Sequence, residues 1–459
     1  MKRSRMLLDK TVLYCAAILV GCCFAAADAA DGEVLKVGAA AVEITPAVGD
    51  LHYRGASTGV LDPLLAKAIV FRQGDRQAAL VFCDVIGVSF DQSDAVRKLA
   101  SEKTGIPREH ICVAATHTHT GRLSDKAEQE TIGRIARAVA EAHATAVPVR
   151  LQTATGRQEE ISFHRRFLMR DGSVRMNPGF KNPDIVRPVG PIDPDVNVLL
   201  ARRATDDRPI ASLTVFAMHL DTVGGTGYSA DYPYFLQETL RKRLGPDFLS
   251  LFGTGTCGDI NHYDVSKAVP QKGHEGTTKT LGEALAATVI GQLPKMKDLT
   301  RADLDVRSRT LQVPLQEITE AELAWARQPE EGRRPLVEER LFLQRFRASK
   351  ILSLAEMRKR WGANLPMEVQ VFRLGADVAV VALPGEVFVE LGLAVKKASP
   401  FATTMVFELA NDCPAYVPTR KGFEQGDYEA INSRVAPGGG EMLVDAAVEM
   451  LEELQATGD

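Results

Sequence analysis

The 459 residues, 45% hydrophobic and 25% charged, suffice for one large core or two moderate ones and exclude a disordered polymer. The formal charge of -4 excludes the basic body expected of a nucleic-acid binder. Seven cysteines do not form a disulfide scaffold, because Cys15, Cys22 and Cys23 fall in an N-terminal leader and only Cys83, Cys112, Cys257 and Cys413 remain. No pair has C-x-x-C spacing, so a cysteine-based zinc site is not expected.

Residues 1–30 have the order of a secretory signal: basic residues, an apolar run from Thr11 to Ala27, then small residues up to Ala30. The run is too short and too rich in small residues for a membrane span. Leu19-Val20-Gly21-Cys22 resembles a bacterial lipobox, which would put a lipid on Cys22 and bring the protein to a membrane surface; ordinary cleavage near Ala30 is the other reading. Both export the chain to the periplasm or beyond. The leader carries Lys2, Arg3, Arg5 and Lys10 against Asp9 and Asp28, so its removal takes the charge from -4 to -6.

From residue 31 onward the pattern reads as a single α/β domain, a multi-stranded mixed β-sheet core flanked by helices. Strands are expected at Leu35 to Ile44, Leu64 to Gln73 and Gln77 to Val88, the last two split by the hairpin-like Gly74-Asp75. A helix from about Asp91 to Thr104 stops at Gly105, and the apolar run from Ile111 follows as a buried strand. An alanine-rich helix spans about Lys126 to Ala146, and β-like patterns return at Arg150 to Thr155 and Glu160 to Phe163. Five prolines between Arg170 and Pro194 leave that stretch too broken for regular elements, as active-site walls often are. Strands at Val196 to Arg202, Ile210 to His219 and Phe248 to Phe252 surround a helix at Tyr232 to Leu244, and another helix covers Lys279 to Leu293. Residues 317–361 read as a helical excursion. Strands at Val369 to Leu374 and Asp377 to Leu383, and a helix at Glu441 to Leu454, close the chain.

The polar residues gather at strand ends. Ile111 to Ala115 runs into Thr116-His117-Thr118-His119-Thr120-Gly121, and in an extended chain residues two apart face the same side, so both histidines can address one ligand. A second strand ends on His219, a third runs into Asp259 to His262, and a fourth delivers Pro384-Gly385-Glu386. Ligands bind where strand ends free the loops of an open α/β sheet. Two histidines and a carboxylate make a catalytic zinc shell with one position left for water. Each residue alone has an ordinary reading: His219 as a hydrogen-bonded core histidine, Glu386 as a helix-start carboxylate. The H-E-x-x-H helix is absent, and an amidohydrolase barrel stays open because His219 and His262 lie downstream, although it requires eight regular β-α units.

Ala115 to Gly121, Phe216-Ala217-Met218-His219, Gly258-Asp259-Ile260, Leu383 to Glu386 and Gly422 to Glu429 together resemble, in order, the catalytic domain of the neutral/alkaline non-lysosomal ceramidase family. The resemblance runs from about Val37 to the C-terminus and covers the catalytic domain alone, without the C-terminal immunoglobulin-like domain of better-known members. It implies zinc held by His117, His219, Glu386 and Tyr416, with His119, Arg165 and Tyr428 at the scissile amide. The family serine in Gly-Asp-x-Ser-Pro-Asn is Asn261 here, which disfavours a serine mechanism. The family Asn-Arg-Ser becomes His164-Arg165-Arg166, leaving either arginine as its equivalent.

The function expected is hydrolysis of an N-acyl, ceramide-like amide by a zinc-activated water. His119 is the candidate proton carrier, and Arg165 or Tyr428 would stabilise the oxyanion. Asp259 is a competing base or a carboxylate orienting a ligand histidine. Asn261, His262 and Asp231 are candidate substrate contacts, with a helix N-terminal role the alternative for Asp231. A scaffold that binds without catalysis, or a metal hydrolase of a non-lipid amide or ester, are the rival functions.

Overall fold

The structure, a computed structural model, describes residues 34–123, 127–269, 273–330 and 340–457. The leader with its lipobox and cleavage site lies outside the described residues. Lys36–Glu43 (β1) pairs antiparallel with Leu65–Gln73 (β2), which turns through Gly74-Asp75 into Arg76–Cys83 (β3), the expected hairpin. Phe90–Thr104 (α1) starts at a capping box between Ser89 and Gln92 and stops at Gly105, whose φ of 75° suits only glycine at low cost. It returns the chain to Ile111–Ala115 (β4), parallel to β3.

Glu128–Ala144 (α2) leads to Val147–Arg157 (β5), and Asp195–Arg203 (β6), Pro209–Phe216 (β7), Tyr232–Leu244 (α3), Leu249–Thr254 (β8) and Lys279–Gln292 (α4) follow. The strands form one mixed sheet in the order β8-β7-β6-β5-β1-β2-β3-β4, with Lys297–Asp298 added beside β5. Asp305–Pro314 (β9), not expected from the sequence, pairs with Asn364–Arg373 (β10); Val378–Ala382 (β11) and Thr403–Phe407 (β12) complete a second sheet in that order. Between β9 and β10 lie Glu320–Ala326 (α5) and Leu341–Trp361 (α6), the helical excursion.

Four layers result. Val42, Ala68, Val81 and Val113 on one face of the large sheet meet Ile135 and Val139 of α2, while Val198, Leu200 and Phe252 meet Leu236 of α3 and Leu285 of α4. Its other face, with Phe71, Phe82 and Leu213, packs on Phe372, Val380 and Phe407 of the second sheet; the Phe82 and Phe407 rings lie 5.1 Å apart. The far face of the second sheet, with Val369, Val371 and Val381, is covered by α6 and by Val389–Ala398 (α7) and the C-terminal helix Gly439–Ala456. Strands buried on both faces carry continuous apolar runs, which is why they stand out in the sequence. The arrangement is two stacked sheets, so the eight-unit barrel does not form. The stretch 170–194 is less broken than expected: Val174–Met176 and Ile185–Pro188 pair on either side of Arg166–Met169.

The three parallel pairs within the two large sheets, β3 with β4, β7 with β8 and β11 with β12, point their carboxyl ends to one rim. Backbone hydrogen bonds from Ala115 N to Leu409 O and from Glu408 N to Thr254 O lock the two sheets together there.

Close approach of β1 to α2 depends on Gly38, where an added Cβ would lie 1.8 Å from the Ala142 carbonyl oxygen. Neither backbone can yield without parting sheet and helix. Gly38→Ala is expected to destabilise the protein by about 1–3 kcal/mol, read as a lowered midpoint in urea unfolding; an unchanged midpoint would refute the close packing.

Candidate active site

The rim delivers His117 and His119 after β4, His219 after β7, Cys257 to His262 after β8, Glu386 after β11 and Tyr416 after β12. The two histidines of the first motif do not meet by strand alternation. β4 ends at Ala115 and His117 has a φ of 75°, so the chain turns instead of continuing extended. The imidazoles still converge, with ring centroids 5.0 Å apart, because His117 N bonds to Val85 O and His119 N to Leu220 O.

His117 Nδ1 lies 2.6 Å from the Ile86 carbonyl and His219 Nδ1 3.2 Å from that of Cys257. A carbonyl only accepts, so each Nδ1 carries a proton, and in the neutral ring each Nε2 keeps its lone pair. Those Nε2 atoms face one another at 3.1 Å. Glu386 Oε2 stands 3.4 Å from one and 3.7 Å from the other, buried and without a hydrogen-bond partner. Two ring nitrogens and a carboxylate oxygen turned to one point are the donors that a cation takes. Burial, with Arg165 and the other two histidines nearby, drives the His219 pKa well down. His117, His119 and His219 hold ligand atoms within 4.8 Å of one another and could bind a metal ion.

Glu386-Val387 pairs in parallel with Tyr416-Val417, which sets the carboxylate beside the phenol. Burial opposes ionisation of Glu386, yet His117, Arg165 and a hydrogen bond from Tyr416 hold its carboxyl below the usual range. Burial and the charge of Glu386 push the phenols of Tyr416 and Tyr428 up, so without a cation both stay protonated donors.

Arg165 and Arg166 take different roles. Arg165 donates to Glu429 Oε1 at 2.8 Å and to Gly258 O at 2.7 Å, and its third nitrogen stands 3.4 Å from His219 Nε2. Arg166 turns back to the carbonyls of Gly422 and Gly426. Only Arg165 of the two lines the cleft above the histidines, a space of about 380 Å³ that His119, His219, Tyr416, Tyr428, Asn261 and His262 also line.

Two expected residues lie elsewhere. Asp259 spends its carboxylate on His164 Nε2 (3.2 Å) and Val389 N (2.9 Å), and touches neither His117 nor His219. Burial works against its charge, but the bond to His164 holds its pKa below the usual range; it is a brace behind the site, not a base within it. Asp231 caps α3 through Tyr232 N and accepts from Thr222 N and Val223 N, the helix-start alternative, so it ties a loop and does not line the cleft. Asn261 is fixed between Asn177 Oδ1 and Tyr263 N.

No protein-family model and no curated protein matches the chain by sequence. Solved structures match in shape: the neutral ceramidase from Pseudomonas aeruginosa superposes with a TM-score of 0.72 at 19% identity, over 93% of this chain and 75% of that one. A ceramidase complexed with C2 gives 0.70 at 18% identity, over 93% of this chain and 76% of that one. The chain has the neutral ceramidase fold.

On this ceramidase fold, several cleft residues carry no signal in the sequence: Tyr53 and Arg54 from a short hairpin, Asp221 after His219, and Phe342 and Phe346 from α6. Glu429 was within reach, since a carboxylate next to Tyr428 and a pair of adjacent arginines are both visible. It is fully buried between Arg165 and Arg166. Glu429→Ala would leave two buried guanidinium groups without their shared counter-charge, a loss of about 3–5 kcal/mol. Chemical denaturation should show that loss; a change within experimental error would mean that the carboxylate is not what balances the arginines.

Proposed function

We propose that the chain is an exported zinc-dependent hydrolase that cleaves an N-acyl amide of a ceramide-like lipid. The observation that carries this reading is the pair of facing Nε2 lone pairs beside the unsatisfied Glu386 oxygen. Nitrogen and oxygen donors of this kind suit zinc, and His117, His219, Glu386 and Tyr416 would hold it. Zinc supplies, when bound, the acidity that turns water into a nucleophile near neutral pH.

The remaining work falls to the chain. Arg165 and the protonated Tyr428 face the cleft, where they donate to the carbonyl oxygen as it gains charge. His119 accepts and returns a proton to the leaving nitrogen. Asn261, without a nucleophilic hydroxyl, and His262 line the polar side with Asn177, while Phe342, Phe346, Tyr428 and Met176 give the apolar side that an acyl chain needs. The ceramidase fold supports a lipid substrate, and the leader residues support export.

The protein as purified should contain one zinc per chain by elemental analysis, and a chelator should abolish hydrolysis of N-acyl lipids. His117→Ala should lose both metal and activity, whereas Tyr428→Phe should keep the metal and lose roughly 10²–10³-fold in kcat. Absence of stoichiometric zinc would defeat the metal assignment. Zinc without turnover across N-acyl lipids, peptides and esters would instead identify a binding scaffold.

A further inference from the structure

A histidine and a buried aspartate outside the cleft have no part in the chemistry above. Asp62, in the loop before β2, is 2% exposed; its Oδ1 accepts from Ala230 N at 2.7 Å, and its Oδ2 from the Ser229 hydroxyl and His274 Nε2, each at 2.6 Å. Three donors on one carboxylate are what its ionised form takes. His274 opens the turn His274–Thr278 that leads into α4, and its Nδ1 stands 3.4 Å from Glu275 Oε1. A neutral imidazole has one N–H for these two carboxylates, whereas the imidazolium has two. The ring rests against Phe235 of α3, 4.7 Å between centroids.

What this pair holds is the histidine loop. The Ser229 carbonyl accepts from the Thr118 and Thr120 hydroxyls, at 2.6 and 3.1 Å, on either side of His119 and next to His117. Ser229 Oγ, while donating to Asp62, accepts from Asp231 N, and Asp231 in turn holds the loop after His219 through Thr222 N and Val223 N. The Thr222 hydroxyl also lies 2.9 Å from that of Thr278, at the end of the His274 turn. Both histidine-bearing loops thus hang on one carboxylate and one turn.

We infer that Asp62, ion-paired with a protonated His274, is the positioning residue of the histidine loop, and that the pair weakens as pH rises. This goes beyond the hydrolytic reading and holds whether or not the site cleaves an amide. The bond to Asp62 raises the His274 pKa above that of a free histidine, although burial works against it. Because the folded value lies above the unfolded one of about 6.5, the contribution of the pair is whole below about pH 6.5 and is lost as pH rises through the folded pKa. Other charges around the ring do not reverse this. Lys279 donates to Glu275 at 3.1 Å, and Lys67 acts on Asp62 through space. Burial, with Glu238, Asp62 and Glu275, pushes the Tyr234 phenol up, so it stays neutral.

Hydrogen exchange on the whole protein, read by mass spectrometry as protection factors, separates this role from a merely structural one. Between about pH 6 and about pH 9, protection should fall about tenfold in peptides covering 112–123 and 222–234, while that of β10 stays within about twofold. His274→Gln, which can still donate to Asp62 but carries no charge, should be less protected than the unaltered protein in those peptides at the lower pH and equal to it at the higher. Release of a metal by protonated ligand histidines would loosen the loop as pH falls, the opposite direction. Unchanged protection, a fall spread evenly over the chain, or the same pH dependence in His274→Gln would each overturn the inference. If His274→Gln does not fold, the comparison of the two peptides with β10 in the unaltered chain decides it.

Discussion

Two imidazoles in the interior are each committed at Nδ1 to a backbone carbonyl, and each is left with a lone pair facing the other across 3.1 Å. Neutral rings in water would not choose this arrangement. It persists because the carbonyls belong to segments fixed elsewhere: Ile86 just beyond β3 and Cys257 just beyond β8. The sheet ends thus fix the Nδ1 protons, and the Nε2 atoms with Glu386 define a place that could hold a metal ion.

The charges around that place form a balanced, buried set. Glu429 sits between Arg165 and Arg166, and Arg165 in turn approaches Glu386 and His219. Glu408, one layer back, accepts from Val387 N and from the Cys257 thiol, and burial raises its pKa well above the ordinary carboxylate range. A neutral Glu408 can brace the Glu386 strand without adding a second negative charge to the centre. Gly258 adds a steric condition, since a Cβ there would meet the Glu386 carbonyl oxygen at 2.5 Å. Close passage of the β8 loop beneath Glu386 is what brings Gly258 O to the Arg165 guanidinium.

Much of this architecture was legible because strands buried on both faces write themselves as apolar runs, and a histidine or glutamate at the end of such a run is conspicuous. His219 and Glu386 were found that way. His117 and His119 were found for a reason that does not hold, since His117 leaves the extended conformation and the backbone at Val85 and Leu220 does the aligning. Tyr416 was visible only through a family likeness, because a phenol at a strand end has no distinctive local pattern. Asp231 and Asp259 each left two readings open for one common cause: a carboxylate looks the same in sequence whether it faces a cleft or satisfies backbone N–H groups and a neighbouring histidine. The strand β9 escaped notice because its burial is only partial along Asp305–Pro314.

The helical excursion is the part of the chain most free to vary. β9 and β10 are antiparallel neighbours in register from Asp305–Arg373 to Pro314–Asn364, a pair that a two-residue turn could join. Instead the chain leaves the sheet and returns through α6, held to the rim by an ion pair from Arg340 to Asp427 at 2.6 Å. From there Phe346 packs 4.8 Å from the Tyr428 ring, and Phe342 packs 4.9 Å from Phe346. This aromatic wall is therefore set by an insertion that the sheets do not need, whereas the histidines, Glu386 and Arg165 are rooted in strands that the core cannot do without. A fold divided in this way can change the shape of its cleft through the insertion while the charged centre beneath stays fixed.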